Sequence, residues 1–118
     1  MDSKQLKERT QNFALNVIEF VEGLPKTKSG DVLGKQLLRS ACSVGANYRA
    51  ACRAKSSADM INKMKIVEEE SDETQYWLEL LVEAGLVPHN QITNIYTETE
   101  EILAMTVASI KTLRTRKS

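Results

Sequence analysis

Glycine and proline are scarce, with five and two in 118 residues, so breakers are few and long segments run between them uninterrupted. Histidine occurs once, at His89 in the Pro88-His89-Asn90 turn. That excludes a carboxylate-bridged dimetal bundle, which needs a Glu-x-x-His motif on each of two helices. It also leaves no Cys-His or Ser-His-Asp set whose spacing points to a nucleophile. No Walker loop, dinucleotide glycine fingerprint or Cys-x-x-Cys pair is present. No enzyme, cofactor or metal is therefore expected. Apolar runs fall short of the roughly 18 residues a spanning helix needs, and the polar start MDSKQLKERT is not a signal peptide. The expectation is a soluble, cytoplasmic protein with no membrane partner. Net charge is also lacking, because sixteen Lys and Arg balance sixteen Asp and Glu. A strongly basic nucleic-acid binder, with a pI above about 9, is excluded, although a local basic patch is not. The two cysteines, Cys42 and Cys52, lie ten residues apart on one predicted helix, about 15 Å, where a disulfide tolerates roughly 7 Å between Cα atoms. They are expected to be free, partly buried thiols.

What is present is helical periodicity over a length suited to one domain, residues 1–118. The first helix is expected from Ser3, as N-cap, to Gly23, with Leu6, Phe13, Val17, Phe20 and Val21 on one face. A second, from Asp31 to Arg53, aligns Leu33, Leu37, Ala41, Val44, Tyr48 and Ala51. Its glycines, Gly34 and Gly45, cost about 1 kcal/mol each relative to Ala and suggest a close helix approach. Ser56 or Ser57 caps the third, which continues to Ala84 with Met60, Met64, Val67, Ser71, Thr74, Leu78 and Leu81 inward. The fourth follows Asn90 and carries Ile92, Ile95, Tyr96, Thr99, Ile102, Leu103, Thr106, Ile110 and Leu113. Short connections make neighbouring helices antiparallel, so the predicted fold is all-α, an up-down-up-down four-helix bundle.

Helix three has a second stripe in Ile66, Glu70, Glu73, Trp77, Leu80 and Ala84, expected roughly opposite Met64 and Val67. The back of helix two is basic at its ends and small in the middle: Lys35, Arg39, Cys42, Ala46, Arg49 and Arg53. Isolated exposed apolar residues are ordinary surface, and that is the plain reading of both stripes. The sharper reading is self-association, with Ile66, Trp77 and Leu80 as anchors and Glu70 and Glu73 paired to arginines of helix two in the same or a neighbouring subunit. Folding back around Lys55 places Arg39 level with Asp72, Ser43 with Glu68 and Asn47 with Lys63. Such exposed pairs contribute about 0–1 kcal/mol each and set register rather than stability.

Gln36-Leu37-Leu38-Arg39-Ser40 and Ser43-Val44-Gly45-Ala46-Asn47-Tyr48-Arg49-Ala50-Ala51 are followed in order by Arg53-Ala54-Lys55-Ser56, Ile61-Asn62-Lys63 and the run from Val67 to Leu78. Over residues 35–87 this pattern resembles the small bacterial four-helix-bundle proteins named after intervening sequences in 23S ribosomal RNA genes. The resemblance implies a homopentameric ring of largely unassigned role. A related group, the accessory proteins of diversity-generating retroelements, is similar in fold, basic, and associated with a reverse transcriptase and nucleic acid. Carried onto this neutral chain, the corresponding surface is Arg39, Arg49, Arg53, Lys55 and the tail Arg114, Arg116 and Lys117. The functional expectation is a non-enzymatic, self-assembling bundle that docks RNA or DNA through this patch. The alternative is a protein–protein adaptor using the apolar and acidic face of helix three.

Overall fold

Four α-helices and one 3-10 turn make up the protein, whose computed structural model describes residues 2–117. Helix α1 spans Ser3–Glu22, α2 Lys28–Cys52, α3 Ser57–Glu83 and α4 Thr93–Lys117; the 3-10 turn is His89–Gln91. No strand occurs among the described residues.

The helix starts follow capping chemistry. Asp2, rather than Ser3, caps α1, because its carboxylate accepts the Gln5 N–H at 2.8 Å while the Gln5 side chain accepts the Asp2 N–H at 3.0 Å. This reciprocal box satisfies two end donors at once. Helix α2 begins three residues before the expected Asp31, since Thr27 Oγ1 accepts the Gly30 N–H at 3.0 Å. A Cβ on Gly30 would run into the Pro25 carbonyl, so only glycine fits this turn of helix against the preceding loop. Of the two serines before α3, Ser56 is the cap, accepting from the Asp59 N–H at 3.1 Å. At the far end Gly85 takes φ +73°, and the N–H groups of Leu86 and Val87 return to the Leu81 carbonyl. That closes α3 and tucks Val87 into the core.

Consecutive helices pack most extensively, and α1 meets α4 at fewer positions. The pairings run antiparallel. Gly34 lies against Val21 and Leu24 and Gly45 against Thr10, so rising numbers in α2 meet falling numbers in α1. Ser40 meets Thr74 and Arg39 meets Glu70 and Glu73 across α2 and α3. Tyr96 meets Glu79 across α3 and α4. This order fits an up-down-up-down bundle about 50 Å long and 21 by 19 Å wide. The expected close approach falls on α1, where a Cβ on Gly45 would sit 3.4 Å from the Thr10 carbonyl oxygen.

One core holds the bundle, centred on Phe13, Val17, Leu37, Val44, Met64, Leu78, Leu81 and Ile102. Of the residues expected inward, Phe20, Val21, Leu33, Met60, Ile95, Tyr96, Leu103 and Leu113 are half-buried. Ile61, not Met60, is buried at the start of α3, where the inward line steps from Ile61 to Met64 to Val67. Hydroxyls are interleaved with the apolar side chains. Thr10, Ser40, Thr74, Thr99 and Thr106 each donate to a carbonyl one turn back on their own helix. Thr74 and Ser40 also meet at 2.9 Å between helices.

Ser71 is the exception, a fully buried hydroxyl with no hydrogen-bond partner among the described residues. Replacing it removes a desolvated group without leaving a new one, so Ser71→Ala is expected to stabilise the fold by about 1 kcal/mol. In thermal unfolding that is a rise in Tm of roughly 4 °C. A lower Tm would mean that the hydroxyl finds a partner in solution.

Candidate nucleic-acid interface

The C-terminal half of α2 and the N-terminal half of α1 enclose an open groove of about 460 Å³. Its floor is small, formed by Ala14, Cys42, Gly45 and Ala46, and its rim carries Lys7, Arg49 and Arg53. The floor lies where Gly45 of α2 packs against the Thr10 backbone of α1, and its small side chains leave the groove open. A second hollow of about 500 Å³ continues from Ala46, Arg49 and Arg53 around the α2–α3 turn to Lys55, Asp59 and Lys63. Five cations thus flank one continuous track.

Among the described residues, ion pairs are made by Arg9 and Arg39. Lys7, Arg49, Arg53, Lys55 and Lys63 make none. Lys55 contributes only its backbone N–H, to Asp59 at 3.2 Å. Arg114 borders a separate hollow on α4 with Lys111 and Glu68, and Arg116 is exposed at the end of that helix. The side chain of Lys117 lies outside the described residues.

Arg39 does not join this track. Its guanidinium donates to Glu70 at 3.0 Å and to Glu73, both on α3 of the same chain. The expected register is nearly right, but Asp72 is not the partner. At 100° per residue Glu70 and Glu73 turn toward α2 while Asp72 turns away from it. Asp72 is exposed, and its charge bears instead on Tyr96 of α4.

The second stripe of α3 is half-buried along the α2 seam rather than standing as a free back face: Ile66, Glu70, Glu73, Trp77 and Leu80 are all partly covered, and only Ala84 is exposed. Trp77 packs against the core and donates its Nε1–H to Glu73 at 3.2 Å. Tyr76, which the helical stripe missed, is 52% exposed and lies edge-on to Trp77 with ring centroids 5.0 Å apart. Ring edge meeting ring face is the favoured aromatic geometry, so the pair makes a preformed surface feature.

Two further contacts carry no sequence signal, because their partners are far apart in the chain. Arg9 on α1 grips Glu98 at 2.6 and 2.7 Å and Glu101 at 2.9 Å on α4. Hydrogen bonds to Glu98, then Glu101, hold its guanidinium above the ordinary arginine range. Tyr96 donates to Glu79 at 2.7 Å, and that bond, with burial and nearby carboxylates, pushes its hydroxyl up to about 12. The protonated hydroxyl is the form the fold favours, so its contribution is complete below the ordinary tyrosine value of about 10 and is lost as pH rises from 10 to 12. Tyr96→Phe is expected to flatten the fall in stability over that alkaline window, measured by urea unfolding at each pH.

The cysteines are free, as expected, but Cys42 is exposed in the groove floor rather than partly buried. Cys52 is half-buried beside Tyr48, whose hydroxyl is pushed up first by burial and then by this thiol. Among the described residues no three His, Cys, Asp or Glu side chains are grouped to hold a metal, and no helix is long and apolar enough to cross a membrane.

The four helices place the protein in the class of small all-α four-helix proteins. The model of the 23S rRNA-intervening sequence protein family matches residues 3–108, and the chain belongs to that family. It is also similar to a crystal structure from Bacteroides thetaiotaomicron, a protein of unknown function from the S23 ribosomal protein family. The two share 36% identity over 94% of this chain and 99% of that one, with a TM-score of 0.87. No curated protein shows significant similarity to the chain.

Proposed function

We propose that the protein is a non-enzymatic, self-assembling scaffold that docks the phosphate backbone of RNA or DNA along the track between α1, α2 and the α2–α3 turn. The observation that carries this reading is the contrast in charge pairing. Lys7, Arg49, Arg53, Lys55 and Lys63 flank an open track and make no ion pair among the described residues, while Glu70 and Glu73 share one cation, Arg39, within the chain. Unpaired cations remain available to phosphate, whereas Glu70 and Glu73, the carboxylates of the second α3 stripe, are already engaged by Arg39. That favours docking over the adaptor reading on α3.

Self-assembly is the second half of the proposal, as a closed ring of five subunits, the number the resemblance implies. Exposed Tyr76 beside Trp77, with half-buried Ile66 and Leu80 on the same helix, supplies its apolar contact. Phosphate contacts from Lys and Arg give affinity that falls steeply with salt and hardly depends on base sequence. With six aromatics in the whole chain, base stacking contributes little.

The test is light-scattering mass on a sizing column, with and without a mixed pool of structured RNA and DNA, at low and physiological salt. A five-subunit particle that takes up nucleic acid supports the proposal. The same particle remaining free favours the protein adaptor, and a monomer removes the assembly reading.

A further inference from the structure

The zero net charge conceals a strong polarity along the bundle. When every helix is cut at its midpoint, the half that carries the α2–α3 turn holds eleven of the described Lys and Arg side chains against five Asp and Glu. The opposite half, with the α1–α2 and α3–α4 connections, holds ten carboxylates against four cations, and Glu70 sits at the midpoint of α3. Arg9 reaches across the waist to Glu98 and Glu101, and the other ion-pairing arginine, Arg39, lies in the acidic half.

The ends are about 50 Å apart, whereas the Debye length is about 10 Å at 0.1 M salt and about 30 Å at 0.01 M. Apart from Arg9, whose charge is matched by Glu98 and Glu101, the basic end therefore presents an approaching polyanion with an excess of five positive charges, not a neutral molecule. Side-by-side neighbours are separated by one bundle width, about 20 Å. At physiological salt their ends are screened from each other, and at low salt they are not.

Rotation about a single axis relates all subunits of a closed ring, so bundles packed side by side bring their basic ends to one rim and their acidic ends to the other. Like ends then repel. We infer that nucleic-acid docking and self-assembly are coupled through this basic end: a phosphate backbone laid across neighbouring α2–α3 turns neutralises the repulsion and tightens the ring. This rests on the docking and assembly reading above and adds its regulation. Antiparallel bundles would juxtapose opposite charges, and their association would respond to salt with the opposite sign.

Subunit exchange between two differently labelled populations, followed by energy transfer, tests the coupling even if the ring never dissociates measurably. Exchange is expected to be faster at about 10 mM than at about 150 mM salt, because the longer Debye length exposes the repulsion. An oligothymidylate of about 16 nucleotides, the upper end of site sizes for one binding module, is the probe. At low salt it is expected to slow exchange about 10-fold, inside the roughly 5–150-fold range of linked sites. Lys55→Gln with Lys63→Gln should remove most of both effects. Slower exchange at low salt, or bound oligonucleotide with exchange unchanged, overturns the coupling and leaves docking intact. A labelled protein that never binds the oligonucleotide, or that has monomer mass, overturns the reading beneath it instead.

Discussion

Changing Arg49 and Arg53 together to Glu is expected to weaken RNA or DNA binding by more than about 100-fold at physiological salt, with helix content and particle mass unchanged. Each reversal removes a phosphate contact and introduces a repulsive charge on the same rim. Two lost contacts should also lower the slope of log affinity against log salt by roughly 1.8 for a duplex. The fold should tolerate the change, because both side chains are exposed and neither makes an ion pair or side-chain hydrogen bond among the described residues. Fluorescence anisotropy with a labelled oligonucleotide over a salt series gives both quantities. Unchanged affinity would remove the track as the docking site. A fall in particle mass would instead assign these arginines to pairing across subunits.

The second large effect concerns assembly. Tyr76→Glu with Leu80→Glu is expected to convert a ring into folded monomers of 13.2 kDa, seen by light scattering with an unchanged circular dichroism spectrum. Trp77 is the more obvious target, but it is a poorer one. It packs on the core and donates to Glu73, which itself pairs with Arg39, so truncating it damages the α2–α3 seam within one subunit. Tyr76 is more than half exposed and Leu80 is at the edge of the seam, so charges placed there face outward. Burial of two new carboxylates in an apolar contact, without partners, strongly opposes association. If the mass is unchanged, the contact lies elsewhere.

Helix number, order and inward faces were legible in the sequence because they depend on local spacing. Leu37, Ala41, Val44, Tyr48 and Ala51 lie on one face of any helix that contains them, and all are buried. Gly34 and Gly45 announced a close approach but not its partner, which is α1. Helix ends shifted where a side chain outside the apolar pattern supplied the cap, as Asp2 and Thr27 do.

The candidate site was legible only in part. Arg49, Arg53 and Lys55 were visible as a basic run, whereas Lys7 and Lys63 joined them only when α1 and α3 packed on either side of α2. Arg39 belonged to the same stripe by spacing, yet the rotation of α3 placed Glu70 and Glu73 within its reach.

By itself, then, the sequence determined an all-α chain, its amphipathic faces, its lack of a recognisable catalytic set and its family pattern, all consequences of covalent order and a 3.6-residue period. Tertiary structure alone decided which charges are spent within the chain and which stay open. It also decided that a neutral composition becomes a bundle with oppositely charged ends. Charge pairing depends on distances between helices, and antiparallel packing gathers residues far apart in the chain at the same end, a sorting no local pattern contains.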